Sequence, residues 1–118
     1  MLRLLKQYQD IIQEWRIIRY DREVNISRLK ASLKLKDGSC LFIKDYRFND
    51  GSRKYAFHWV DRDNNLIIRW DNATHWPGVA THPHHKHIKS ETNVEISRET
   101  DLSQILAYIS FKRRFSPE

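Results

Sequence analysis

Apolar residues open the chain at alternating steps of four and three: Leu4, Tyr8, Ile11, Trp15 and Ile18, with Leu5 and Ile12 beside them. This spacing predicts an amphipathic helix from Leu2 to about Ile18, with Lys6, Gln7, Asp10, Gln13, Glu14 and Arg16 turned largely outward. The pattern then changes period. Leu29, Ala31, Leu33 and Leu35 alternate with Arg28, Lys30, Ser32, Lys34 and Lys36, the signature of a half-buried strand with a basic outer face. Asp37-Gly38 is a favoured hairpin turn, and Cys40 to Phe48 returns as a second strand. Asn49-Asp50-Gly51-Ser52 turns again. Arg53 to Asp61 forms a third strand with Tyr55, Phe57 and Trp59 on one face and Ala56, His58 and Val60 on the other. Asp63-Asn64-Asn65 then leads into a fourth, Leu66 to Trp70.

Strands joined by turns this short form an antiparallel meander. Val94 and Ile96 suggest a fifth strand. Thr100 or Asp101 reads as the N-cap of a second helix, with Gln104 as capping-box partner and Leu102, Ile105, Leu106 and Ile109 as its apolar face. Lys112, Arg113 and Arg114 fall in its last turn, where they suit the helix dipole. The expected fold is therefore α+β: an N-terminal helix packed on a four- to five-stranded antiparallel meander, with a C-terminal helix. Trp15 and Trp59 are expected in the core, and His58 as a satisfied core or edge histidine.

A chain of 118 residues has room for one domain, spanning 1–118. Twenty-one Lys and Arg against fifteen Asp and Glu leave a net charge of +6, which favours polyanionic partners. Lys30, Lys34, Lys44 and Lys54 fall at outward or edge positions on different strands, a candidate basic platform for nucleic acid that also serves simply to blunt aggregation. The lone Cys40 cannot form an internal disulfide, and no signal peptide or membrane-spanning run is evident. A cytoplasmic protein is expected.

Candidate chemistry is concentrated between Trp70 and His87, where five of the six histidines lie, four of them within His82 to His87. Imidazole exchanges protons near neutral pH and is the commonest metal ligand. If the segment around Pro83 is extended, His85 and His87 point to one side and His84 and Lys86 to the other. Metal-independent RNA cleavage needs a base for the 2′-hydroxyl, an acid for the departing 5′-oxygen and a cation for the phosphorane. His85 and His87 supply the first two in either order, and Lys86 or Arg69 the third. Asp71 is placed to orient a histidine, while Trp76 or Trp70 offers a surface on which a splayed base can stack. The competing reading is a metal-dependent nuclease or nucleotide-directed enzyme with a divalent metal site, zinc for example, in which His85 and His87 are joined by His75 or Asp71. A third is a non-enzymatic nucleic-acid-binding or complex-forming protein with the histidine segment as its interface.

The run Asn65-Leu66-Ile67-Ile68-Arg69-Trp70-Asp71-Asn72-Ala73, then His75, then Pro83-His84-His85-Lys86-His87-Ile88, resembles the TumE-type family of prokaryotic toxin-antitoxin proteins. The hairpin at Asp37-Gly38 and the terminal helix agree with it. The resemblance covers about two thirds of the chain from Leu29 onward, Pro-His-His-Lys-His being its most specific part. It implies a growth-inhibiting toxin encoded beside a helix-turn-helix antitoxin, with motif positions at Arg69, Asp71, Asn72, His75, His84, His85, Lys86 and His87. Trp76-Pro77-Gly78-Val79 departs from the short polar, proline-rich link expected after that first histidine. RNA is the expected substrate, and an acidic or aromatic antitoxin segment complementary to the histidine cleft or lysine-rich face is the expected partner surface.

Overall fold

Helical spacing at the start of the chain yields only six residues of helix, α1 (Leu2–Gln7), in a computed structural model that describes residues 1–115 apart from the side chains of Arg114 and Phe115. From Ile12 the backbone is extended as β1 (Ile12–Glu23), which pairs antiparallel with β2 (Ile26–Leu35). The helix predicted to Ile18 is thereby corrected. Ile11, Ile12, Trp15, Ile17, Ile18 and Tyr20 are β-branched or aromatic and favour a pleated surface, and pairing with β2 decides the contest. Asn25 makes the turn at φ 64°, a conformation asparagine tolerates better than most residues. Two register shifts, between Ile12 and Glu14 and between Ile17 and Arg19, mask the period-two alternation.

Five further strands follow: β3 (Cys40–Arg47), β4 (Arg53–Val60), β5 (Leu66–Asp71), β6 (His85–Ile88) and β7 (Val94–Ile96). The chain closes with α2 (Leu102–Phe115). Among the described residues all seven strands lie in one antiparallel sheet in sequence order, a pure meander with more strands than the expected four or five. The additional ones are β1 and β6. The latter is four residues long and takes its form from pairing on both sides, with β5 and β7.

The hairpin between β2 and β3 shows how the turns are fixed. Gly38 takes φ 91°, where an added Cβ would stand 3.2 Å from the Arg62 guanidinium. Asp37 accepts from the backbone N–H and the hydroxyl of Ser39, and Ser39 Oγ accepts from Trp59 Nε1 at 3.1 Å. At the other end of the chain, Gln104 donates its backbone N–H to Asp101 Oδ1 and accepts from Thr100 N–H at 2.8 Å. This closes α2 as the capping pattern predicts, although Thr100 N–H takes the place of the N-cap N–H.

Register sorts the two faces of the sheet. Leu33, Leu41, Trp59 and Ile68 form one cross-strand row and Ala31, Ile43, Phe57 and Trp70 another. Both are buried in a core completed by Leu102, Ile105, Leu106 and Ile109 of α2. The opposite face carries the rows Lys30, Lys44, Ala56, Asp71, His85 and Ser32, Phe42, His58, Arg69, His87. Trp59 is buried as expected. Trp15 is corrected: on the edge strand β1 it stands 48% exposed. No described helix is long and apolar enough to cross a membrane. The Arg114 side chain, assigned above to the last helical turn, lies outside the described residues.

Candidate active site

Asp71 is the last residue of β5 and stands directly across the ladder from His85, the first of β6. His87 follows two residues on and projects from the same face, its ring centroid 4.9 Å from that of His85. His85 Nε2 lies 2.9 Å from Asp71 Oδ1 and His87 Nε2 3.5 Å from Oδ2. Each imidazole is tied down from behind: His85 Nδ1 donates to Pro83 O at 2.9 Å and His87 Nδ1 to Glu91 O at 2.8 Å. A carbonyl only accepts, so both rings carry a hydrogen on Nδ1 and turn Nε2 toward the carboxylate. The histidine rings are almost completely enclosed, whereas the Asp71 side chain is 10% exposed and that of Arg69 28%.

Arg69 extends the cluster toward the surface. Its Nε donates to Asp71 Oδ2 at 3.2 Å, and its terminal nitrogens hold Glu91 at 2.6 Å. Asp71 Oδ1 also accepts from Ala73 N–H, fixing the chain as it leaves the sheet. Beside Asp71 opens a pocket of about 390 Å³ whose walls include Arg53, Lys54, Arg69, Asn72 and His75. Lys54 and Arg69 give it positive charge that suits a phosphate group, whereas the Arg53 guanidinium lies over the Tyr55 ring and is held by Asp45 at 2.9 Å. A larger pocket of about 680 Å³ lies at the opposite edge of the sheet, against Trp15, Ile17, Tyr20 and Leu29, far along the ladder from the histidines.

Of the residues singled out from sequence, Asp71, His85, His87 and Arg69 are brought together on one face. His75 stands exposed on the pocket rim, outside the Asp71, His85, His87 group, so the three-ligand alternative keeps Asp71 and loses His75. Lys86 and His84 project from the other face. Lys86 Nζ pairs with Glu99 at 3.1 Å and lies over the Tyr108 ring, beneath α2. His84 Nδ1 shares a hydrogen bond of 2.8 Å with the Tyr55 hydroxyl. Burial pushes the Tyr55 phenol above its ordinary range, while burial and then Arg53 hold His84 below its ordinary value. The period-two geometry of β6 separates these two residues from His85 and His87.

Trp70 is corrected as a base-stacking surface. It is fully buried on the α2 face, where its Nε1 donates to Glu99 at 3.0 Å and its ring stacks on Trp59. Trp76, 39% exposed, lies edge-on to His87 at 6.1 Å. Asn72 ties β5 to β4, accepting from Tyr55 N–H and donating to Arg53 O. Lys34 and Lys54 are exposed and Lys44 half-buried, all on the face that carries Asp71. Arg53, Glu91 and Tyr55 were missed. Only Glu91, a carboxylate four residues after His87, stood close enough in sequence to signal its part.

Comparison with known proteins adds one match. A family described as Toxin TumE matches residues 1–113. No curated protein and no solved structure matches the chain.

Proposed function

The chain belongs to the toxin TumE family, which makes it the toxin of a toxin-antitoxin module, and from that premise we propose that it arrests growth by cleaving RNA at the Asp71, His85, His87 centre. The observation that carries this reading is the junction of a buried proton-handling cluster with a cationic pocket through one shared residue, Asp71. In the reaction, the 2′-hydroxyl gives up its proton and its oxygen attacks phosphorus. The bond from phosphorus to the 5′-oxygen breaks, and that oxygen takes a proton. The products are a 2′,3′-cyclic phosphate and a free 5′-hydroxyl. Arg69, with Lys54, neutralises the phosphorane, a role for which Lys86, beneath α2, and Arg53, over the Tyr55 ring, stand on the wrong face. The buried centre takes up the first proton, and His75, which lines the pocket beside Asp71, supplies the second. Trp76 and the Lys34, Lys44, Lys54 face hold the strand.

In this reading the cognate antitoxin, a helix-turn-helix protein, covers that basic face with an acidic segment. A complex held instead by the exposed Trp15, Ile18 and Tyr20 of β1 would contradict it. The cleavage reading is tested by incubating the purified chain with total RNA and mapping the ends. Wild type should leave cyclic phosphate and 5′-hydroxyl termini, and Arg69→Met should cut at least about 100-fold more slowly. Intact RNA under all conditions would end it.

A further inference from the structure

We propose that Asp71, His85 and His87 bind one divalent transition-metal ion, of which zinc is the representative. Resting on the RNA-cleavage reading, we propose further that hydroxide on this ion takes the 2′-hydroxyl proton and becomes water. Four observations converge on the ion.

The donor set comes first: two imidazoles and a carboxylate are the ligands of hydrolytic zinc sites that keep a position open for water. The three donor atoms, one from each residue, lie within 4.8 Å of one another and are buried. Ligands at zinc distance from a common centre stand about 3.3 Å apart in tetrahedral geometry, between the closest separation here, 2.9 Å, and that upper bound. The second observation is the outer shell. Both Nδ1–H groups are engaged by backbone carbonyls, which fixes the tautomer that presents Nε2 to an ion.

The third observation is an orphan. His85 Nε2 is buried and has no hydrogen-bond partner among the described residues, although Asp71 Oδ1 is only 2.9 Å away. A neutral imidazole with its hydrogen on Nδ1 would set a lone pair against that carboxylate oxygen, and a cation shared between the two atoms satisfies both. The fourth is rigidity. Asp71 and His85 are ladder partners on adjacent strands and His87 shares their face, so the donors are set by the sheet and not by a loop. The positive charge nearest the site, Arg69, is already balanced by Glu91 at 2.6 Å, which lowers its opposition to a second cation.

The test uses the full chain, stripped with chelator and titrated with zinc chloride by calorimetry, and separately with cobalt(II) followed by visible absorption. One ion per chain with a Kd below about 1 µM, a tetrahedral cobalt spectrum and a rise in melting temperature on loading are expected. Asp71→Asn and His87→Gln should each weaken zinc by at least about tenfold, whereas His82→Ala and His84→Ala should leave stoichiometry and affinity unchanged. If a variant at the site fails to fold, the cobalt spectrum of the wild type decides alone. Absence of binding, or binding abolished only by the His82 and His84 variants, overturns the metal site. RNA cleavage that persists in EDTA without bound ion overturns the ion's part in the reaction, leaving cleavage intact with the imidazoles carrying the protons. Tight zinc binding without any RNA cleavage keeps the site and removes the cleavage reading.

Discussion

Lys86→Met separates the two faces of β6. The ammonium makes one charge-assisted hydrogen bond, to Glu99 at 3.1 Å, and one cation-π contact, with the Tyr108 ring centroid 5.3 Å away. Both partners belong to the α2 side of the sheet. The two side chains of the pair are 15% and 20% exposed, so water screens the interaction only in part. A charge-assisted bond contributes about 1.5–3 kcal/mol at full strength and an exposed cation-π contact about 0.5–1. Methionine keeps the apolar stem, and Glu99 keeps the Trp70 indole N–H as a donor at 3.0 Å. A net loss of about 1–2 kcal/mol follows, lowering the melting temperature by roughly 4–10 °C in a domain of this size. Thermal denaturation followed by circular dichroism measures that loss. Growth arrest on induction at 25 °C, where the variant remains folded, measures function and should match wild type. A folded Lys86→Met chain that no longer arrests growth would refute the assignment of this lysine to structure and restore it to the chemistry.

Further outcomes follow from the core and from the buried histidines. Ile105→Ala removes a fully buried side chain at the contact of α2 with the sheet and should cost about 2–5 kcal/mol in urea denaturation; a loss below 1 kcal/mol would contradict the packing described. Burial, followed by Arg69 for His58 and by Arg53 for His84, holds both imidazoles below their ordinary value of 6.5. Unfolding lets each take up a proton more readily, so their contribution is fully present above pH 6.5 and is lost as pH falls below it toward the folded values. The urea midpoint should therefore fall between pH 7.5 and pH 5.5, by less in the His58→Gln, His84→Gln double variant; an equal fall in both proteins would place the proton uptake elsewhere.

The central strands were legible because β2 to β5 alternate cleanly and are separated by Asp-Gly, Asn-Asp-Gly-Ser and Asp-Asn-Asn turns whose conformations those residues favour. β1 was not, because Leu4, Tyr8, Ile11, Trp15 and Ile18 satisfy a helical period by coincidence with two register shifts. Its hairpin turn is carried by Asn25 without a glycine. β6 was hidden inside a polar, proline-interrupted run whose extension depends on neighbours from both sides. At the site, the alternation of β6 gave the correct sides for His85 and His87 against His84 and Lys86. The same alternation in β5 already set Trp70 with Ile68 and apart from Asp71, which reading Trp70 as a base platform overlooked. The backbone carbonyls of Pro83 and Glu91 that orient the two rings have no side-chain signature, and sequence cannot reveal them.

The claim that Asp71, His85 and His87 form the cleaving centre is tested most directly by single-turnover cleavage of a defined RNA, wild type against Asp71→Asn, with RNA affinity measured in parallel. Asparagine preserves the size of the side chain and its bond from Ala73 N–H but removes the charge that joins the two imidazoles to the pocket. A cleavage rate reduced by about 100-fold or more, with RNA affinity and fold unchanged, is the predicted result; equal cleavage rates would contradict it.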